Sequence, residues 1–105
     1  CFRGSGIIGG FHAFTGQFDD LCNGDYSLEL TVNGESRQVA NLSSMSITPQ
    51  QQMDSLLTWA PVVAGDYLFT GTPSGVAELQ VGDEVNAVLI GKDGSVISQI
   101  SAVCV

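Results

Sequence analysis

Leu28-Glu29-Leu30-Thr31-Val32-Asn33-Gly34-Glu35 alternates apolar and polar side chains up to Val32, then presents two residues that tolerate a positive φ. Period-two alternation marks a strand with one buried face. Asn-Gly is a favoured pair for a type I′ turn, which needs positive φ at both central residues and matches the twist of the flanking strands. Glu35 to Ala40 is therefore expected to return antiparallel, and the chain reads as mainly β outward from this hairpin. A second hairpin is expected near the carboxy end, Glu84 to Ile90 and Ser95 to Val105, joined across Lys92-Asp93-Gly94.

One short helix is expected between the hairpins, near residues 49–60. Thr48 is placed as its N-cap, Pro49 at the first helical position, and Gln51 as the second half of a capping box. Met53, Leu56, Leu57 and Ala60 give one apolar stripe, and Pro61 ends it. Tyr67 to Thr70 reads as a buried strand. Pro73-Ser74-Gly75 and Val81-Gly82-Asp83 read as turns. Residues 1–25 form an irregular lead-in in which Ile7, Ile8, Phe11, Phe14 and Phe18 are scattered among glycines.

The 105 residues make one small domain, residues 1–105, with 44% hydrophobic and 13% charged side chains. Eleven acids against three bases give a net charge of -8. Such a chain is repelled by nucleic acid and by anionic membrane surfaces, so neither is an expected partner. No apolar run is long enough to cross a membrane as a helix. Cys1, Cys22 and Cys104 include no C-x-x-C pair, and reduced thiols in a cytoplasmic protein are the expectation. The chain opens at Cys1 without a signal-peptide pattern, which suggests a piece of a longer or trimmed protein.

Counting excludes most catalytic constellations. His12 is the single histidine, and it sits in a glycine and phenylalanine loop, so it is read as structural or solvated. No nucleophile elbow, P-loop or dinucleotide fingerprint is present. Asp19, Asp20 and Asp25 form the one local acid cluster, read as a solvated loop, while Asp66 and Asp83 each follow a glycine at a turn. The segment with chemical promise is Gly65-Asp66-Tyr67-Leu68-Phe69-Thr70-Gly71-Thr72-Pro73-Ser74-Gly75-Val76. It places two hydroxyls, on Thr70 and Thr72, either side of a glycine, and hydroxyls with backbone N–H groups suit a substrate carboxylate.

This segment, followed by Leu79-Gln80-Val81-Gly82-Asp83-Glu84-Val85, resembles the carboxy-terminal signature of the fumarylacetoacetate hydrolase family. That signature runs Gly-Asp, Thr-Gly-Thr-Pro-x-Gly-Val, then Gly-Asp before the last hairpin. Leu28 to Gln38 is similar to the family's Asn-Gly-Glu hairpin, Asn41 to Met45 to the segment leading into the helix, and Phe2 to Phe11 loosely to the stretch before both. The resemblance spans nearly the whole chain and is strong over residues 28–85.

The resemblance implies a mixed β-roll or sandwich of α+β class. It also implies a parent activity: metal-dependent hydrolysis, decarboxylation or isomerisation of small 2-oxo and diketo acids, with Mg²⁺, Mn²⁺ or Ca²⁺ polarising the oxygens. It places Thr70, Gly71 and Thr72 on the substrate-carboxylate wall, with Ser44 and Met45 close by. The family's metal-binding Glu-x-Glu pair, its later aspartate and its lysine lie upstream of the matched segment. Here no Glu-x-Glu occurs and the one lysine is Lys92, so no catalytic residue, metal ligand or cofactor is expected within this chain. Arg3 stands where the family often has aspartate, and Ile7 where it often has proline. The expectation is a truncated fumarylacetoacetate-hydrolase-like protein with a small 2-oxo acid as ligand. The alternatives are a non-catalytic self-associating β module and a small-carboxylate binder. Strand edges left without neighbours lead to the expectation of a homodimer.

Overall fold

The computed structural model describes residues 4–105; the readings made on Cys1, Phe2 and Arg3 lie outside the described residues. Strands β1 (Ser27–Val32) and β2 (Glu35–Asn41) form the first hairpin, with Val32 opposite Glu35 and Ser27 opposite Asn41. Asn33 and Gly34 turn it with φ of 52° and 79°, as the Asn-Gly pair predicts. The register slips between Leu30 and Thr31, whose partners are Gln38 and Ser36, so Arg37 is the extra residue of a β-bulge.

Strands β3 (Glu84–Ile90) and β4 (Val96–Val103) form the second hairpin. The two hairpins join through β1 and β3, giving one antiparallel sheet in the order β2-β1-β3-β4. Leu28, Leu30 and Val32 stand opposite Leu89, Ala87 and Val85, so one face is apolar across the middle of the sheet. The other face is mixed: Val39 and Val88 flank Glu29, while Gln99 Nε2 and Ser101 Oγ both donate to Asn86 Oδ1 at 2.9 Å. Val32, 3% exposed, is the centre of the core and the one apolar residue fully buried among those described.

The helix α1 (Pro49–Leu57) starts as its capping box dictates. Thr48 Oγ1 accepts from Gln51 N at 3.3 Å, and Thr48 N donates to Gln51 Oε1 at 2.9 Å. The helix stops three residues short of Ala60, which closes a last turn by donating from its N–H to Leu56 O at 2.9 Å. Two short 3₁₀ turns, Phe18–Cys22 and Leu42–Ser44, flank the first hairpin. The first falls within the stretch expected to be irregular.

Tyr67 to Thr70 is not a buried strand. These residues carry no ladder partner among the described residues, and Tyr67 and Phe69 are 60% and 73% exposed. An apolar run becomes a strand only when a neighbouring backbone completes its hydrogen bonds, and among the described residues none pairs with this one. Both Gly-Asp pairs do form turns, by the same device. Asp66 Oδ2 accepts from Val63 N at 2.9 Å, and Asp83 Oδ2 accepts from Gln80 N at 2.8 Å.

The apolar face is covered by irregular chain. Gly9 lies against the Ile100 side chain, and Phe11 stacks on Tyr67 with ring centroids 5.3 Å apart. The sheet's two edges differ. Beside β2, residues 72–75 press against Arg37 and Gln38, whereas among the described residues no strand pairs with the outer side of β4, which contains neither proline nor charge. The chain exposes 7735 Å², against roughly 5,600 Å² for a compact folded chain of this mass. No helix among the described residues is long and apolar enough to cross a membrane.

Candidate functional site

Three elements bring the site together. Leaving β2, Asn41 caps the second 3₁₀ turn: its Oδ1 accepts from Ser43 N at 2.9 Å and its Nδ2 donates to Gly24 O at 2.8 Å. Ser44 Oγ donates to Asn41 O at 2.7 Å, which turns the chain so that Met45 faces back toward the lead-in, its Sδ 4.0 Å from Cys22 Sγ. From α1, Gln52 Nε2 donates to Ile47 O at 3.0 Å and to Thr70 O at 3.3 Å. From β2, Gln38 Nε2 donates to Thr72 Oγ1 at 3.0 Å and to Pro73 O at 2.7 Å. Two glutamines thus hold the Thr70–Pro73 segment, one at each end.

Between these elements lies a cleft of about 940 Å³. Ser44, Met45, Thr70, Gly71 and Thr72, singled out from the sequence, all line it. Gly71 has φ of 97°, a conformation that side-chain-bearing residues rarely adopt, and its missing side chain leaves open space. Five hydroxyls line the cleft, on Ser44, Ser46, Thr70, Thr72 and Ser74, with the amides of Asn41 and Gln52. Among the described residues no charged side chain does, although the chain as a whole carries eight excess negative charges. Neutral donors without neighbouring carboxylates can hydrogen-bond an anion without local repulsion. A smaller cavity of about 220 Å³ lies behind, and Thr72 and Gln38 both line it.

Gln38 and Gln52 are the site residues that the sequence reading missed. Gln38 is a polar side chain on an apolar sheet face, opposite Leu30, but the register shift that puts it there cannot be counted from the sequence. The perturbed carboxylates lie elsewhere. Asp83 is held below the usual aspartate range by the Gln80 N–H and the Asn33 amide, and Asp93 by the Ser95 hydroxyl and N–H. Asp25, just before β1, pairs at 3.5 Å with Lys92 of the second hairpin turn. Among the described residues no three His, Cys, Asp or Glu side chains converge, so these residues do not fit a divalent ion unaided, and no chemical step is assigned to one here.

Residues 1–101 match the family model described as fumarylacetoacetate (FAA) hydrolase C-terminal. The chain belongs to the fumarylacetoacetate hydrolase family. It is 37% identical over 65 residues to oxaloacetate tautomerase YcgM of Escherichia coli, covering 62% of this chain and 30% of that protein. To the mitochondrial oxaloacetate tautomerase FMP41 of Saccharomyces cerevisiae it is 26% identical, covering 83% of this chain and 32% of the relative. The fold superposes on the crystal structure of yeast ynq8, a fumarylacetoacetate hydrolase family protein, with a TM-score of 0.72 at 28% identity, over 79% of this chain and 34% of that one. The chain therefore spans about a third of the length of these relatives.

Proposed function

We propose that this chain forms the carboxylate-recognising wall of a site for small 2-oxo or diketo dicarboxylic acids, in a protein that isomerises or hydrolyses them. The observation that carries this reading is Thr72: its hydroxyl lies beside Gly71 in a cleft lined by hydroxyls, amides and apolar side chains, with no charged group among the described residues. The names of relatives support the substrate class. They include oxaloacetate tautomerases, a fumarylpyruvate hydrolase and a maleylpyruvate hydrolase, and each of those acids carries two carboxylates and a 2-oxo group.

In this reading the residues bind and orient. Thr72 donates its hydroxyl hydrogen to a carboxylate oxygen, and the Thr70-Gly71 backbone gives the ligand close access. The divalent ion implied by the family would need its ligands from outside the described residues. The free thiols of Cys22 and Cys104 support a reducing, cytoplasmic setting. The surface in excess of a compact fold, about 2,000 Å² per chain, is more than the roughly 800 Å² that each partner contributes to a standard interface, and such a surplus supports self-association as a homodimer.

Calorimetric titration with oxaloacetate, with and without Mn²⁺, tests the reading. Oxaloacetate should bind the chain, acetate should compete poorly, and Thr72→Val should weaken oxaloacetate by about tenfold. Absence of binding in both arms overturns it.

A further inference from the structure

Thr72 reaches the cleft with its hydroxyl already engaged from behind by one side chain. Gln38 Nε2 lies 3.0 Å from Thr72 Oγ1, 2.7 Å from Pro73 O and 3.3 Å from Ser74 O. A primary amide has two hydrogens, and the two shortest contacts take them, so Thr72 Oγ1 accepts one. The hydroxyl's own hydrogen then has two destinations. It can be donated to Gln38 Oε1, 3.3 Å away, or outward into the cleft. One hydrogen cannot serve both. Gln38 lines the smaller cavity and not the cleft, so its effect on a ligand passes through Thr72. It also stands opposite Leu30, on the sheet face that carries Leu28 and Val32, where an amide is tolerated only if it is partnered.

We propose that Gln38 is a positioning residue for carboxylate recognition. It rests the Thr72 hydroxyl hydrogen on Oε1 while the cleft is empty, and by donating through Nε2 frees that hydrogen for an incoming carboxylate oxygen. This rests on the reading of Thr72 as the carboxylate donor.

The test is a double-mutant cycle in oxaloacetate binding, using Gln38→Met, Thr72→Val and the two combined. Each single change raises Kd about tenfold. The combined variant is no weaker than Thr72→Val alone, because Gln38 has nothing left to position. A combined loss equal to the product of the single losses means that Gln38 only anchors Pro73 and Ser74, and overturns the proposal. So does a Gln38→Met protein that binds as the wild type does. A wild-type chain that binds no oxaloacetate fails the reading of the cleft first, and the proposal falls with it. If Gln38→Met does not fold, the wild-type protein supplies the readout. The Gln38 side-chain amide resonances shift when oxaloacetate is added, and they stay fixed in Thr72→Val. Amide resonances unmoved in the wild type at saturation overturn it.

Discussion

Asn33 and Asp83, fifty residues apart, are tied side chain to side chain: Asn33 Nδ2 donates to Asp83 Oδ1 at 2.8 Å. The same amide accepts from Glu84 N at 2.9 Å through Oδ1, and Asn33 N donates to Glu84 O at 2.8 Å. The residue that turns the first hairpin therefore also fixes where β3 begins. Position 33 tolerates glycine for the turn, but glycine has no amide to make the tie.

The tie gives stability an acid dependence. The Gln80 N–H and the Asn33 amide favour the charged form of Asp83, so its folded pKa lies below the unfolded one. The stabilisation is then fully present above the unfolded aspartate value, about 3.9, and is lost as pH falls through the folded value. Asp93, held by Ser95, adds in the same direction. Melting temperature followed from pH 7 to pH 3 should be level and then drop below about pH 4. Asp83→Asn should flatten part of that drop, and an unchanged profile would refute the assignment.

Gly75→Ala should be the costlier of two glycine substitutions in the Thr70–Gly75 segment. Both Gly71 and Gly75 have φ near 100°, so alanine strains either. A Cβ at Gly71 meets open space, whereas at Gly75 it overlaps the Arg37 carbonyl oxygen. Gly71→Ala should lower unfolding stability by about 1 kcal/mol, and Gly75→Ala by about 2 kcal/mol or more. Urea unfolding of both variants measures the difference, and equal losses would deny the close approach to β2.

Thr48→Ala removes the N-cap of α1 and should lower stability by about 1 kcal/mol. Because Gln52 of that helix holds Thr70 O, fraying should also shift the backbone carbonyl resonance of Thr70. A change confined to the helix resonances would separate the two elements.

Sedimentation equilibrium should report twice the 11.0 kDa chain mass at micromolar concentration. A single species at the chain mass, whatever the concentration, would remove the homodimer.

The local chemistry of turns and caps was legible. Asn33-Gly34, the Thr48 capping box and both Gly-Asp turns act as their residue types dictate. Tyr67 to Thr70 misled because a strand is a property of two neighbours, and sequence shows one. The cleft residues Ser44, Met45, Thr70, Gly71 and Thr72 were reached through the resemblance to the family's motifs rather than through contacts, and they do meet. Gln38 was hidden by the bulge. Counted in steps of two from Glu35 opposite Val32, Arg37 would share the face of Leu30 and Gln38 would point away. The extra residue exchanges them, and nothing local in Glu35-Ser36-Arg37 announces it.

The unlike edges of the sheet also set a limit on growth. Beside β2 the Gly75 backbone occupies the approach at Arg37, and Glu35 and Arg37 bring charge to that strand; among the described residues no strand pairs with the outer side of β4. A sheet that can be extended from one side only behaves as a chain terminator. Union through β4 consumes the open edge of each copy and leaves a guarded strand at both ends, so assembly by that route stops at a pair and does not propagate into a fibre.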